Sequence, residues 1–433
     1  MLSISGLLLG LIALIWLTMR GANLFIIAPL CALAVALTNG IPFWQDSGNA
    51  DFIHAYMNGF AGFVGAWFLM FLLGSLFGKL MDHTGAADAV ALWIVSKVGK
   101  AHAVGAVVLA CAVLTYGGVS VFVVAFSAYP MAVSLFKDAN LPRRFIPAAL
   151  GLGSVTFTMT SAGSPEIQNW IPIQYLKTTP YAGWEVSIVV AIFMAAFGYA
   201  WLRRMIANAV SRGEVFVARD NDPSSAERAL PSAGLSALPL LVVLVLSNLL
   251  HHSLQQAALI VALAGGVVSL YLLNRRYLAS LDAAINEGVI GSLLAIGNTA
   301  AVVGFGAVAK LTPAFSHIVQ HLTHLPGPEL LGAAVAVSAI AGITGSASGG
   351  QAIALPEIAP LYLERGVQAD ELHRVVAISS GALDSLPHNG YVVTTIRAIC
   401  GESHHNAYWP VAAVTVVVPA IGTLLAIALF QWW

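Results

Sequence analysis

Charge is what this chain has least of. Only 9% of its 433 residues are Asp, Glu, Lys or Arg, where soluble proteins carry about 25%, so a soluble globule of this length is excluded. Cysteine is scarce too. Cys31, Cys111 and Cys400 show no CxxC spacing, which removes a disulfide framework and a thiolate metal cluster. A formal net charge of −1 leaves no basic excess for nucleic acid. HExxH, GxSxG and Walker runs are missing, and with them the usual membrane protease, lipase and ATP-driven pump. No cofactor or metal is expected.

Apolar residues make up 58% of the chain and mean hydropathy is +0.84, with apolar runs recurring from Leu2 to Phe430. Lipid tolerates only backbone that satisfies itself, so the sequence predicts an all-α polytopic membrane protein. Runs near the roughly 20 residues that cross a bilayer give ten spans: Leu2 to Leu17, Ala22 to Thr38, Phe60 to Phe77, Phe145 to Tyr175, Gly183 to Leu202, Leu235 to Leu250, Ala257 to Leu273, Val289 to Ala309, Leu372 to Ala398 and Tyr408 to Phe430. Two more stretches, Ala103 to Phe136 and Pro328 to Tyr362, are interrupted by Tyr116-Gly117-Gly118 and by Thr344 to Gly350. They read as re-entrant hairpins with tips at membrane depth. Asp88 to Val98 and Leu281 to Glu287 read as interfacial, and His251-His252 and His404-His405 as solvated loops.

Letting the chain alternate across the membrane places fifteen Lys and Arg on one side and four (Lys177, Lys310, Arg365, Arg374) on the other. Basic excess marks the cytoplasm, so both termini are expected outside the cytoplasm and the polar stretch from Arg203 to Ser232 inside it. The halves align at nearly one offset: Lys79 with Lys310, Gly117-Gly118 with Gly349-Gly350, Pro130 with Pro360 and Arg144 with Arg374, at 231, 232, 230 and 230 residues. The expected plan is a first inverted repeat over 1–202, a cytoplasmic linker over 203–234 and a second repeat over 235–433. Inverted repeats with hairpins are the plan of an alternating-access transporter.

After each hairpin comes a helix broken by small and polar residues: Thr158 to Asn169, holding Gly163-Ser164-Pro165, and Ser379 to Gly390, holding Asp384-Ser385-Leu386-Pro387-His388-Asn389. Two tips and two breaks are expected to meet near the midplane, where helix N-termini hold a carboxylate without a basic residue. The candidate binding groups are Gly117, Gly118, Ser120, Ser161, Gly163, Ser164, Asn169, Ser346, Ser348, Gly349, Gly350, Ser385 and Asn389. Gly118 and Gly349 are expected to permit close backbone approach or positive φ. Ionisable residues at membrane depth are functional by default, which makes Asp384, His388 and Glu166 the candidate proton carriers, His388 titrating nearest neutral pH.

The run Gly381 to Gly390 resembles a motif of the GntP family of organic-anion permeases, in particular a branch similar to 3-hydroxybutyrate permeases, and Thr158 to Asn169 is similar to that family's first-half signature. The resemblance implies a member of the ion transporter superfamily, with a mobile domain of hairpins and broken helices sliding, elevator-like, against a dimerising scaffold in the cell inner membrane. It further implies proton-coupled symport of a small hydroxy-monocarboxylate such as 3-hydroxybutyrate or a sugar acid, by a protein that is not an enzyme and acts as a homodimer. Tyr116 to Ser120 and Gly345 to Gly349 stand where sodium-coupled relatives carry Ser-Asn-Thr tips, which favours protons. Sodium coupling is the alternative, and an intramembrane hydrolase or acyltransferase built on Ser385 and His388 a further one.

Overall fold

The computed structural model describes every residue except 1, 21, 46–50, 100, 101, 220, 221, 223–228, 255, 256, 324–326 and 433, so part of the expected linker lies outside the described residues. Their regular structure is all helical, with no strand among the described residues. In chain order come α1 (Leu2–Met19), α2 (Leu24–Thr38), α3 (Phe52–His83) and α4 (Ala86–Val98), then the pair α5 (Ala103–Tyr116) and α6 (Val121–Asp138). A broken helix follows, α7 (Ile146–Gly151) and α8 (Ile171–Leu176), and then α9 (Trp184–Ser211). Past the linker lie α10 (Ala233–Leu254), α11 (Ala257–Asn274), α12 (Leu281–Lys310), α13 (Pro313–Thr323) and the pair α14 (Glu329–Thr344) and α15 (Ala347–Glu364). A second broken helix, α16 (Ala369–Leu383) and α17 (Gly390–Val393), precedes α18 (His404–Ala412) and α19 (Val418–Trp432).

Seven helices among the described residues are long and apolar enough to cross a membrane: α3, α6, α9, α10, α11, α12 and the run from α18 to α19. Six coincide with expected spans. Of the other expected spans, α1 and α2 are apolar but shorter, and the remaining two are the broken helices. The long helix α6 was expected as half of a hairpin too short to cross. Leu281 to Glu287, expected along the interface, forms the first turns of α12: Ser280 accepts a hydrogen bond from the Ala283 N–H and starts the helix there, as an N-cap does. His251-His252 sits in the last turn of α10 and His404-His405 in the first turn of α18, not in loops. Leu9, Ile12, Leu37, Ile192 and Leu249 expose more than half of their surface, as lipid-facing side chains do.

In lipid, helices associate by close packing at small residues, and α3 against α12 does so. A methyl on Gly59 would meet Ala307 at 2.6 Å, one on Gly304 would meet the Tyr56 ring at 2.9 Å, and one on Gly288 the Leu76 side chain at 2.7 Å. The Tyr56 hydroxyl donates to the Ala301 carbonyl at 3.0 Å. A small apolar core joins α1, α2, the start of α3 and the end of α12. A second, larger core runs through the helix pairs and the broken helices.

Candidate functional site

Both helix pairs turn at a glycine. Gly118 has φ +94° and Gly345 φ +57°, values that a Cβ opposes. Gly349, expected to play this part in the second pair, lies inside α15, and its N–H is capped by the Ser346 hydroxyl at 3.2 Å. Each turn is tied to the break that follows it: the Tyr116 hydroxyl donates to the Ala162 carbonyl at 2.7 Å, and the Asn389 amide to the Gly345 carbonyl at 2.9 Å. Short π-helical stretches flank the breaks at 152–156 and 394–399. There the Thr158 hydroxyl satisfies the Gly153 and Ser154 carbonyls at 2.9 and 2.8 Å.

The four interruptions open into one cavity of about 520 Å³. The side of the tips and breaks supplies Gly118, Ser120, Glu166, Gln168, Ser346, Ser348, Asp384, Ser385, His388, Asn389 and Tyr391; α3, α11 and α12 close the other side with mostly apolar residues and the polar Ser75, Asn298 and Thr299, with Lys79, paired to Glu287 at 3.0 Å, at its edge. Two 18-residue helices begin on this cavity, α6 at Val121 and α15 at Ala347. Ser120 precedes α6 without a side-chain cap bond. The positive ends of both dipoles therefore lie where an anion would sit.

Nine of the sixteen candidate residues line the cavity: Gly118, Ser120, Glu166, Ser346, Ser348, Asp384, Ser385, His388 and Asn389. Asp384 is buried and accepts from the Ser385 hydroxyl at 2.9 Å. His388 packs its ring against Gly345, and neither ring nitrogen makes a sound hydrogen bond although the Gly342 backbone lies beside it. Asn389 lines the wall with both ends of its amide engaged, to Gly345 and to the Val392 N–H at 2.9 Å.

The other seven lie behind the wall. Gly117 and Gly350 permit close packing, a methyl on them meeting Leu240 at 2.7 Å and Ala341 at 2.5 Å. Gly163 has φ +79° and its N–H donates to Pro180 at 2.9 Å. The Ser161 hydroxyl bonds the Phe157 carbonyl, and the Ser164 carbonyl accepts from Asn169 and Trp170, each at 3.1 Å. Asn169 is fully buried and Gly349 sits within α15.

Arg374 explains why the first break is structural. Expected at the exterior end of the span that starts at Leu372, it is fully buried. Its guanidinium donates to the Ala182, Thr160 and Pro180 carbonyls at 2.9, 2.6 and 3.1 Å and to Asn169 Oδ1 at 2.9 Å. A guanidinium carries five fixed donors, which suits the carbonyls freed by an unwound helix. Gln351 of α15 reaches the Gln168 carbonyl at 3.0 Å and the Ser380 hydroxyl at 2.9 Å. Sequence reasoning missed Arg374, Gln168, Asn298 and Thr299. The signals were a lone arginine at the head of an apolar helix and an Asn-Thr pair inside one.

The chain matches the family described as GntP family permease over residues 2–272. It is 35% identical to the uncharacterized transporter YxjC of Bacillus subtilis, with 95% of each chain covered. It is 25% identical to the high-affinity gluconate transporter of Escherichia coli, with 87% of each covered. The solved YdaH transporter of Alcanivorax borkumensis superposes with a TM-score of 0.57 at 14% identity, covering 95% of this chain and 97% of that one, a likeness of fold alone.

Proposed function

Since this chain belongs to the GntP family of permeases, we propose that it is a proton-coupled secondary transporter of a small hydroxy-monocarboxylate, such as 3-hydroxybutyrate or a sugar acid. That it is a multi-pass membrane transporter and not an enzyme follows from its relatives and its apolar spans. The observation that carries the finer reading is the single cavity shared by two helix N-termini and by Glu166, Asp384 and His388. Helix N-termini attract a carboxylate. A further ionised carboxylate beside it repels it unless that carboxylate takes up a proton. An anion and a proton therefore enter this cavity more readily together than the anion does alone.

The four oxygens around Arg374 weigh against sodium at the first break, because a guanidinium already occupies them. The Ser385 hydroxyl is turned to Asp384 rather than His388, so the Ser385 and His388 pair that a hydrolase or acyltransferase would need is not formed. We place the protein in the cell inner membrane, as a homodimer in which the helix pairs and broken helices move as a body against the α3 and α12 pair, across two inverted repeats. Purified protein in liposomes, offered labelled 3-hydroxybutyrate or gluconate, is expected to concentrate the anion under an inward proton gradient and to ignore sodium. Accumulation driven by sodium alone would reverse the coupling assignment.

A further inference from the structure

The start of α15 is already occupied by a carboxylate. Ala347 and Ser348 open this helix on the cavity. The next two N–H groups are taken, that of Gly349 by the Ser346 hydroxyl and that of Gly350 by the Ser346 carbonyl at 2.8 Å. The Asp384 carboxylate lies beside the Ala347 N–H and accepts from the Ser385 hydroxyl at 2.9 Å. An anionic substrate drawn to the same helix end finds another anion there, and two carboxylates at contact distance in a site this buried exclude each other. His388 points independently to a missing ligand: it is 5% exposed, lines the same cavity, and its ring nitrogens make no sound hydrogen bond.

We propose that Asp384 is a tethered occupant of the α15 N-terminus, which the substrate carboxylate replaces only once a proton has neutralised Asp384. The proposal rests on the anion and proton reading above and adds the device that couples them. One proton passes from water to an Asp384 oxygen, and no other bond is made or broken. The empty site carries its negative charge on Asp384 and the loaded site carries it on the substrate, so the two states that cross the membrane bear equal charge. The other titratable groups around the cavity and Asp384 are His388 on its own break, Tyr391 of α17, Glu166, Lys79 of α3, whose charge is paired with Glu287 at 3.0 Å, and Tyr408 and His404 of α18. The last two bond the Ser385 carbonyl at 3.3 Å and the Pro387 carbonyl at 3.2 Å. The helix pair's tip from Gly342 to Ser348 contains no ionisable side chain.

Calorimetric binding of 3-hydroxybutyrate and of gluconate to the purified full chain tests this, in two buffers of different ionisation enthalpy between about pH 5.5 and pH 8.5. Linkage requires that one proton bound per anion raise Kd about tenfold per pH unit on the alkaline side. The unmodified protein should show that slope and an uptake of one proton. Asp384→Asn should bind with a flat pH profile and no proton uptake, while Glu166→Gln and His388→Gln keep the slope. Retention of the slope in Asp384→Asn overturns the proposal, as does zero proton uptake by the unmodified protein, a measurement that needs no variant to fold. If the folded, unmodified protein binds neither anion at about pH 5.5, the anion reading falls and takes this device with it.

Discussion

The two broken helices are made of the same materials and put them to different uses. In the first, Gly163 and Pro165 free backbone groups that Arg374, Asn169 and Pro180 then satisfy. In the second, Pro387 and its neighbours leave Asp384 and His388 on the wall of the cavity, with no arginine among the contacts of Asp384. A helix break in lipid creates unsatisfied polar groups. What distinguishes the two is whether a fixed cation answers them. The first break is held in shape by that cation and turns its stretch from Pro165 to Gln168 to the cavity, and the second, without a cation, turns Asp384, Ser385, His388 and Asn389 to it.

If that contrast is right, removing Arg374 has the largest effect of any change at the breaks. Arg374→Leu strands three buried acceptors, the Ala182 and Thr160 carbonyls and Asn169 Oδ1, while the Pro180 carbonyl keeps Gly163 and Asn169 as donors; each costs about 1–3 kcal/mol, against a total stability on the order of 5–15 kcal/mol. Folded protein in the membrane should nearly vanish. Arg374→Lys, a point donor without the fork, should recover part of it. Fluorescence size exclusion and a thermal melt in detergent would read both, and a normal melt for Arg374→Leu would erase the distinction between the breaks.

The two turns sharpen the comparison next. Gly118 and Gly345 both need positive φ, and a methyl on Gly345 would lie 2.7 Å from the His388 ring. Gly118→Ala and Gly345→Ala should each cost about 1–3 kcal/mol. Gly345→Ala should also depress uptake, because it displaces His388 from the wall. Gly349→Ala falls in helical backbone and should leave melting and uptake close to normal. Equal losses in all three would mean that the turns are interchangeable packing elements.

Much of this was legible beforehand. Tyr116-Gly117-Gly118 and Thr344 to Gly350 marked both turns, and Pro165 and Pro387 both breaks, because glycine and proline interrupt helices locally. Nine candidates reach the cavity because a break must face protein or water. The rest was illegible for a tertiary reason. Whether Asn169 faces a ligand or an arginine depends on a partner 205 positions away in the chain, and no local pattern encodes that partner. Arg374 matched Arg144 in sequence and was read as an exterior charge, yet only the fold reveals that one is enclosed and the other is at the surface. Asn298 and Thr299 were hidden inside an otherwise apolar helix whose role as the opposite wall is purely spatial.

A smaller effect is expected at Asn389, which caps α17 and bonds the Gly345 carbonyl. Loss of a cap costs about 0.5–2 kcal/mol. Asn389→Ala should therefore lower the melting temperature modestly while weakening uptake more than stability, since the second turn would no longer be tied to the second break. A loss confined to stability would make Asn389 a packing residue like Asn169.

The smallest effect belongs to Arg144, the surface counterpart of Arg374. It pairs with Glu214 through two bonds of 2.7 and 2.8 Å, with both side chains about a third exposed. Hydrogen bonding and attraction from Arg144 hold the Glu214 carboxyl below its usual range. A carboxyl depressed on folding stabilises the protein above its unfolded pKa of roughly 4.3. That contribution is lost as pH falls through the lower, folded value. Solvent screening limits such a pair to about 0.2–1 kcal/mol. A double-mutant cycle of Arg144→Gln and Glu214→Gln, read by thermal melts, should return a coupling in that range at neutral pH, which fades in acid and in high salt. The same cycle run on Arg374→Gln and Asn169→Ala should return a coupling several times larger and indifferent to salt. Comparable values from the two cycles would show that burial does not separate these two arginines.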